Sequence, residues 1–470
     1  MTISMDPGAA ALLDALHRAG YAAYAVGGCV RDSLLGLVPH DWDLCTSALP
    51  QQVIGLFGAQ QCIPTGLQHG TVTVKQNGAL YEITTFRTEG SYSDGRHPDE
   101  VHFVPDVRED LARRDFTINA MAYNEKEGLI DPFGGQADLQ RGILRAVGAP
   151  HRRFTEDALR ILRLYRFAAR FGFALDPATA QAAEELCAHL DCVSAERIEE
   201  ELAKLLAAPA PAAYLDEKIL DVILPELAPE ALTAAKPVVD ACPAGSEDLP
   251  VRLAALLLSL GEDGTRRALK RLRCSNACIE ETAVLVREYR AGAQSRRAAP
   301  AETTIPDLTI YTRHLLGQYG LKTVQRLAAL GAAMQPKRAA DFERLSKLAE
   351  RMDADGVCCR VSQLAVNGRD LMAAGIPAVA MILLALVFRA AGVCLCMAGT
   401  ALNRKERLFC VIAYLPKATV QAAIGSVPLA MGLPCGQIVL SVAVLAILIT
   451  APLGAIGMDA TYQKLLEKQL

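Results

Sequence analysis

The chain has 470 residues, which suits roughly two to four domains, and its hydrophobic (51%) and charged (21%) fractions exclude a disordered or collagen-like protein. Its 14 cysteines form no CxxC pair and no zinc-type cluster with histidine, so the sequence predicts reduced thiols in a cytoplasmic setting and neither a disulfide scaffold nor a zinc finger. A net charge of −4 gives no overall nucleic-acid signature, so such binding would depend on local basic patches.

The N-terminal pattern predicts a helix over 9–19, a strand over 21–26, a glycine turn and a helix over 30–35. A glycine turn before a helix lets a phosphate approach free backbone N–H groups, which makes Gly28 and Arg31 candidate contacts for a triphosphate. An ordinary tight turn has the same pattern, so this alternative stays open. The first twenty residues lack the apolar core of a secretory signal peptide.

Two aspartates open the next predicted strand, over 40–44. Asp41 and Asp43 share one face of that strand, because strand side chains alternate. Two carboxylates this close raise each other's pKa unless a cation lies between them, and Mg²⁺ binds such groups together with substrate phosphates. The alternative is a solvated turn that Trp42 anchors.

A hairpin and a basic segment follow in the N-terminal region. Strands over 70–75 and 80–86 bring Glu82 forward as a third candidate metal ligand, although a strand glutamate is more often simply exposed. In the segment RRDFTINA, Arg114 and the arginine before it lie beside Asp115. These side chains either form a surface ion-pair cluster or clamp the phosphate and ribose of a nucleotide.

A strongly helical segment over 154–167 begins the next region, and Thr155 is predicted to cap it. Four charged side chains recur in it every three residues: Asp157, Arg160, Arg163 and Arg166. Residues at this spacing are neighbours on a helix surface. On this pattern alone, a ladder of surface ion pairs is as good an explanation as a functional row of side chains.

Several of these motifs, in this order, resemble the bacterial class II CCA-adding enzymes of the tRNA nucleotidyltransferase and poly(A) polymerase family. The motifs are GGCVRDSLLG, HDWDLCTSA, YEITTFRTEGSYSDGRHPDEVHFV, RRDFTINAMAYN and DPFGGQADLQRGILRAVG. The resemblance implies an α/β head of the DNA-polymerase-β nucleotidyltransferase type, with an antiparallel or mixed five-stranded sheet, and then an all-α neck, body and tail. The implied regions are head 1–145, neck 146–206, body 207–300, tail 301–377 and a hydrophobic C-terminal segment 378–470.

The resemblance also implies an activity, which is the template-independent addition of CCA to the 3′ end of tRNA from CTP and ATP. Mg²⁺ on Asp41 and Asp43 would serve that reaction. The loop over 87–98, rich in Gly, Ser and charge, resembles the mobile loop of enzymes that add C as well as A. A poly(A) polymerase or a CC-adding enzyme is the alternative within the family.

The neck helix has an implied role in choosing the base. Asp157 and Arg160 would hydrogen-bond the Watson–Crick edge of the incoming nucleotide, since a carboxylate and a guanidinium suit cytosine or adenine but not guanine or uracil. Arg163 and Arg166 would face phosphate or stabilise the site. The segment SAERI after it places a capping-type serine before a further helix.

Helical periodicity continues through 206–375 and includes a basic run. Four side chains of that run are candidate contacts for the tRNA backbone: Arg266, Arg267, Lys270 and Arg271. Their charges would neutralise phosphates, although a solvated helix face is nearly as good an explanation. The segments ALKRLRCSN and VNGRDLMAAGIP resemble the body and tail of the same family.

The last 95 residues differ in composition, with 7 basic and 3 acidic side chains against 41 and 49 before them. Residues 418–458 are uncharged, and a membrane helix needs about 20 apolar residues. This segment resembles the transmembrane end of a monovalent cation:proton antiporter, which implies a fusion or chimera. The sequence predicts two or three hydrophobic helices that associate with a membrane, separated by a loop with Arg404, Lys405 and Arg407. The alternative of another class is a truncated antiporter fragment with a soluble appendage.

Overall fold

The computed structural model describes residues 3–90, 100–298, 305–360, 378–397, 400, 402–414 and 436–465. The chain divides into two units, one ending at Cys359 and the other beginning at Arg360. Two sequence predictions lie wholly or partly outside the described residues: the loop over 87–98, of which 91–98 are not described, and the tail motif over 366–377.

The strands are short and concentrated in the first 145 residues. They are β1 (Ala23–Val26), β2 (Asp43–Thr46), β3 (Cys62–Gly66), β4 (Thr71–Gln76), β5 (Ala79–Thr85), β6 (Arg87–Glu89), β7 (Val101–Phe103), β8 (Ala122–Asn124), β9 (Gly128–Ile130), β10 (Ile143–Leu144) and β11 (Ala174–Leu175).

Helices alternate with the strands at first and then make up the rest of the first unit. They are α1 (Pro7–Arg18), α2 (Gly28–Leu34), α3 (Pro50–Phe57), α4 (Val107–Ala112), α5 (Gly135–Arg141), α6 (Pro150–Glu156), α7 (Leu159–Phe171), α8 (Pro177–Leu186), α9 (Ala195–Leu206), α10 (Glu217–Ile223), α11 (Pro229–Ala241), α12 (Leu249–Leu257), α13 (Gly261–Arg271), α14 (Asn276–Ala298), α15 (Ile305–Tyr319), α16 (Leu321–Met334) and α17 (Ala339–Ala354).

Seven strands of the described chain form one mixed sheet, in the order β3-β4-β5-β2-β1-β8-β9. The predicted hairpin is present as the antiparallel pair β4 and β5, whereas β2 and β5 run parallel. The expectation of five strands was too low. The edge strands β3, which contains Pro64, and β9, with three residues, are too irregular or too short to show a clear alternation of apolar side chains.

The predicted single neck helix is wrong, because the structure has two helices there. Asp157 lies between α6 and α7 with extended backbone (φ −149°, ψ 105°). Thr155 is inside α6, where its Oγ1 donates to the carbonyl of His151 (2.8 Å), so it caps no helix. Asp157 does the capping instead, since its Oδ1 accepts a hydrogen bond from the Leu159 N–H (3.1 Å).

The neck is fastened to the body by a fully buried arginine. Arg252 of α12 donates hydrogen bonds to the carbonyls of Leu206, Ala208, Pro209 and Cys242. Two of those carbonyls belong to the C-terminal end of α9 or to the turn after it, where a cation complements the helix dipole. The position of α9 is therefore fixed from the body side.

The second unit contains α18 (Ala378–Cys396), α19 (Arg404–Ala413) and α20 (Gly436–Leu465). The predicted loop with Arg404, Lys405 and Arg407 is wrong, because these residues begin α19. Asn403 accepts hydrogen bonds from the N–H groups of Lys405 and Glu406 (both 2.9 Å), and the Glu406 carboxylate accepts from the Asn403 N–H (2.9 Å), which makes a capping box.

The structure gives no support to the predicted membrane-spanning character of this unit. Among the helices that it describes, none is both long enough and apolar enough to cross a membrane. The predicted antiporter-like fusion is likewise without support.

Candidate active site

The predicted carboxylates lie at the centre of the sheet. Asp43 is the first residue of β2, and its Cα is paired with that of Glu82 on β5. Asp41 lies in irregular backbone two residues before the strand, and it is exposed like Asp43 while Trp42 between them is buried, which agrees with the predicted alternation of side chains. Trp42 is buried in the main apolar core and anchors this segment. All three carboxylates belong to exposed residues.

The electrostatics around Asp43 favour a bound cation. Surrounding protein atoms disfavour the charged form and raise the pKa of Asp43, and the carboxylates of Glu82 and Asp41 add to this rise, whereas Arg114 opposes it. Within the described residues, no three His, Cys, Asp or Glu side chains come together closely enough to hold a metal ion. The predicted three-carboxylate group with Glu82 is therefore not assembled.

Two carboxylates are nevertheless a fitting donor set for Mg²⁺. This ion keeps several waters and is usually bound by one or two carboxylates together with substrate phosphates. Asp41 and Asp43 offer hard oxygen donors at the surface, and a cation beside them would relieve the repulsion that raises the pKa of Asp43.

Arg114 lies against the glycine turn that precedes α2. Gly27 has φ +75°, which favours glycine, and a Cβ at this position would lie 2.8 Å from Nη1 of Arg114. Arg114 pairs with the fully buried Asp110 (3.4 Å), while its own buried Nε has no hydrogen-bond partner among the described residues. A guanidinium that lies against this glycine turn and acts electrostatically on Asp43 is well placed for a phosphate oxygen.

Arg31, the other predicted phosphate contact, is turned inwards. Its side chain is 4% exposed, and it donates to Asp32 (Nε, 2.7 Å) and to Asn119 (Nη1, 2.6 Å). The guanidinium also lies over the rings of Phe167 and Phe171, at 5.1 and 4.9 Å from their centres. In this structure Arg31 thus joins α2 to the neck helix α7 and is not directed at a ligand.

Asp115 is the centre of a buried hydrogen-bond network. It accepts from Asn119 (3.0 Å) and from both Nε and Nη2 of Arg163 (3.0 and 2.7 Å). Burial by itself raises the pKa of Asp115, but Arg163 and Asn119 outweigh it and hold that pKa well below its usual range. Arg166 donates to the buried Glu201 of α9 (2.5 Å). The predicted ladder of surface ion pairs is therefore wrong for these two arginines.

The two candidates for base recognition are held by partners on both sides. Oδ2 of Asp157 accepts from Nη2 of Arg197 in α9 (2.8 Å). Arg160 donates to Glu156 (2.8 Å) and, through Nη2, to the carbonyl of Arg113 (3.2 Å). Arg197 lies in the SAERI segment, and its partner is 40 residues away, so no local sequence pattern points to this pairing.

The segment Arg113–Asp115, defined here as the hub segment, connects all parts of this site. The carbonyl of Arg113 accepts a hydrogen bond from Arg160, and the Asp115 carboxylate binds Arg163. The guanidinium of Arg114 lies against Gly27 and acts electrostatically on Asp43. The hub segment therefore connects the carboxylates near the start of β2 to the neck helix α7.

The basic run of α13 divides into two pairs of residues. Arg266 pairs with Glu280, and Arg271 pairs with Glu226 (2.8 Å), which leaves neither guanidinium free in this structure. Two exposed cations have no ion pair or hydrogen bond within the described chain: Arg267 and Lys270. These two are the better candidates for a phosphate backbone.

Comparison with known proteins gives two family matches. Residues 23–145 match the poly A polymerase head domain, and residues 172–230 match the probable RNA and SrmB-binding site of polymerase A. The CCA-adding enzyme of Geobacillus stearothermophilus is 36% identical over 406 residues, which cover 85% of this chain and 94% of that protein. The CCA-adding enzyme of Limosilactobacillus fermentum is 47% identical over 212 residues, or 44% of this chain and 52% of its own length. With that relative, and with several others, this chain matches only about half of the relative's length.

Solved structures show the same similarity. The crystal structure of the Bacillus stearothermophilus CCA-adding enzyme in complex with CTP has a TM-score of 0.65 and 35% identity, and the match covers 79% of this chain and 89% of that one. The Thermotoga maritima CCA-adding enzyme complexed with tRNA has a TM-score of 0.56 at 20% identity, covering 88% and 100%, which shows a similar fold alone.

Proposed function

The chain belongs to the family of CCA-adding enzymes, and from this premise we propose that it adds C and A nucleotides to the 3′ end of tRNA without a template. Its substrates would be CTP and ATP, and its product besides the extended tRNA would be pyrophosphate. The head has the DNA-polymerase-β-like nucleotidyltransferase fold, followed by a helical body. The observation that carries the proposal is the hub segment, which joins the carboxylates of the sheet to the base-recognition pair of the neck.

The reaction joins the 3′ oxygen of tRNA to the α-phosphorus of the nucleotide, and the bond from that phosphorus to pyrophosphate breaks. Asp41 and Asp43 would hold Mg²⁺, which when bound supplies Lewis-acid activation of the hydroxyl and charge neutralisation at the phosphate. Arg114, whose Nη1 lies against the glycine turn at Gly27, would bind a phosphate oxygen. These three side chains would orient the nucleotide at the start of β2, near the centre of the sheet.

Base choice would come from Asp157 and Arg160. A carboxylate accepts from the exocyclic amino group of cytosine or adenine, and a guanidinium donates to the adjacent ring nitrogen or carbonyl. Guanine and uracil present a carbonyl where the amino group should be. Arg197 and Glu156 use part of the hydrogen-bonding capacity of the pair and fix its orientation, so both groups keep further sites for a base.

We propose a division of labour in which the head (1–145) performs the chemistry, the neck (146–206) selects the base, and the body (207–300) and tail (301–377) bind tRNA in the cytoplasm. The match of 172–230 to an RNA-binding family segment supports an RNA partner. On the body, Arg267 and Lys270 would contact tRNA phosphates, since they are exposed cations without an ion pair in the described chain.

The test is an extension assay of the full chain on three tRNA transcripts, ending before the CCA, after one C and after two. With each nucleotide supplied in turn, we expect C, C and A to be added in that order, and then no further addition. Repeated addition of A would instead identify a poly(A) polymerase, and a stop after the second C would identify a CC-adding enzyme.

Two variants assign the chemistry to the carboxylates. Asp41→Ala and Asp43→Ala should each abolish nucleotide addition while tRNA binding survives, because they remove ligands for Mg²⁺ and not core residues. The matched control is Asp14→Ala, which removes an exposed aspartate from α1 and should leave turnover unchanged. Near-normal turnover in either of the first two variants would refute the assignment.

A separate variant tests base choice. Asp157→Ala should relax the discrimination among CTP, ATP, UTP and GTP more than it lowers the thermal midpoint of unfolding. Discrimination that stays unchanged in a normally folded variant would exclude Asp157 from base recognition.

A further inference from the structure

Two cysteines face one another at the turn between the body helices α13 and α14. Cys274 is buried and Cys278 is half-buried, and the thiol of Cys274 lies close enough to hydrogen-bond the sulfur of Cys278. Oγ1 of Thr282 lies 4.0 Å from the sulfur of Cys278. This cluster plays no part in the proposed site, and the inference drawn from it does not depend on the proposed function.

The backbone on the α13 side fixes the position of Cys274. Its N–H donates to the carbonyl of Leu269 (3.0 Å), and the N–H of Arg273 donates to that of Lys270 (3.0 Å), which is the Schellman ending of a helix. Arg273 takes the left-handed conformation (φ 58°) that glycine usually supplies in such an ending. The turn is therefore set by hydrogen bonds and not by residue preference.

The backbone on the other side fixes Cys278. Oγ of Ser275 accepts from the Cys278 N–H (3.3 Å), as an N-cap does, so Cys278 lies in the first turn of the long helix α14. The positive end of the helix dipole favours a thiolate there. The hydrogen bonds at the end of α13 and at the start of α14 therefore hold the two sulfurs near one another.

The charges around the pair act in both directions. The hydrogen bond from Cys274 lowers the pKa of Cys278, with a further contribution from Thr282, whereas burial and the carboxylates of Glu199 and Glu281 raise it; the net direction is downwards. The same hydrogen bond raises the pKa of Cys274. One thiol is therefore the readier nucleophile and the other is kept protonated beside it.

From this geometry we infer that Cys278 and Cys274 are a peroxide-sensitive thiol pair that closes to a reversible disulfide. The Cys278 thiolate attacks one oxygen of hydrogen peroxide and breaks the O–O bond, giving a sulfenic acid and, after protonation, water. The sulfur of Cys274 then attacks the sulfenic sulfur, and its thiol proton leaves with the hydroxyl group as a second water. Two thiols and one peroxide become one disulfide and two waters.

Two buried cysteines of the described chain, Cys29 and Cys242, are poor competitors. Burial raises the pKa of Cys29 to about 11 and that of Cys242 to about 12, so both stay as protonated, inaccessible thiols. They serve as internal controls within the same sample.

The test is a peptide map of the full-length protein after an equimolar amount of hydrogen peroxide. Trypsin cuts after Arg273 and Arg287, so both sulfurs fall in one peptide, CSNACIEETAVLVR. After alkylation without reduction, we expect this peptide to be unalkylated and lighter by two hydrogen atoms, and dithiothreitol should restore both alkylation sites. The peptides with Cys29 and Cys242 should remain reduced.

A pair of variants identifies the attacking sulfur. In Cys274→Ser the sulfenic acid on Cys278 should persist and be trapped by dimedone, whereas Cys278→Ser should give no trapped product at position 274. The inference is overturned if both thiols of the wild-type peptide are alkylated at a peroxide dose that oxidises other cysteines. Irreversible oxidation of Cys278 without a disulfide would overturn it as well. The wild-type map needs no variant, so a substitution that impairs folding does not affect the conclusion.

Discussion

The arginines of the neck helix α7 and of the body helix α13 have similar spacing in the sequence, but their acidic partners differ in burial. Arg163 and Arg166 reach Asp115 and Glu201, acids that are less than 10% exposed. Arg266 pairs with a glutamate whose side chain is 63% exposed. The burial of the acidic partner, and not the spacing of the arginines along the helix, therefore decides how much such an ion pair contributes to stability.

The energetic consequence of that difference is large. Breaking a buried pair leaves an uncompensated charge and costs about 3–5 kcal/mol, whereas an exposed pair contributes about 0–1 kcal/mol because water and salt screen it. Predictions on the two helices therefore differ in magnitude as well as in the property that changes.

The largest effect is expected for Asp115→Ala. The variant removes the main carboxylate partner of Arg163, and the free energy of unfolding should fall by about 3–5 kcal/mol. Urea unfolding of the full chain, followed by circular dichroism, measures it. The contrasting variant is Glu280→Ala, which removes a partner of Arg266 and should cost less than about 1 kcal/mol. Equal losses of unfolding free energy in the two variants would contradict the expected difference between the buried pairs of the neck and the exposed pairs of the body.

Arg197→Ala should have the next largest effect, and on selectivity more than on stability. It removes the charged partner that orients Asp157, and a hydrogen bond to a charged group is worth about 1.5–3 kcal/mol. The ratio of kcat/KM for CTP over UTP should therefore fall by about tenfold or more. Arg197→Lys should restore part of the ratio, and a fall in thermal midpoint without any change in the ratio would speak against a positioning role.

Acid should weaken the neck network by less than deletion of its carboxylate does. The pKa of Asp115 is lower in the folded protein than in the unfolded chain, so its charged form contributes stability above the unfolded value of about 4. That contribution is lost as the pH falls through the lower folded pKa. Unfolding free energies measured from about pH 5 downwards should decrease. In Asp115→Asn the decrease should be shallower, and an identical slope would contradict the assignment.

The smallest effect is expected on the body, and it should appear in tRNA binding. The double variant Arg267→Ala, Lys270→Ala removes two unpaired cations, so the dependence of log affinity on log salt should lose about two units of slope. The matched double variant Arg266→Ala, Arg271→Ala removes the same charge from residues that are already paired, and its slope should change less. A larger change in the second variant would reverse the assignment.

Local features of the head were predictable from the sequence. The hairpin of β4 and β5 and the placement of Glu82 beside Asp43 follow from the alternation of side chains and from glycine turns, which act over a few residues. The extra edge strands were not predictable, because strands of three to five residues with a proline or little apolar alternation give no periodic signal.

The partners of the charged side chains were beyond the reach of sequence reasoning. Apolar and basic residues continue at helical spacing across Asp157, so the residue pattern does not reveal the break in the neck helix. The hydrogen bond from the Leu159 N–H to Asp157 explains that break. Glu201 lies 35 residues from its partner Arg166. The position of Arg31 in the first turn of α2 can be read from the sequence and predicts a phosphate contact. The aromatic rings that cover its guanidinium belong to another helix, so their presence cannot be read from the local sequence.

The hub segment also has a consequence for when a wrong nucleotide is rejected. Because the carbonyl of Arg113 binds Arg160 and the adjacent Arg114 acts electrostatically on Asp43, a base that displaced Arg160 would also disturb the reacting phosphate. Mispaired nucleotides should then bind with nearly normal KM and fail mainly in kcat. In such an enzyme accuracy is a property of the chemical step, and raising the concentration of a wrong nucleotide does not overcome it.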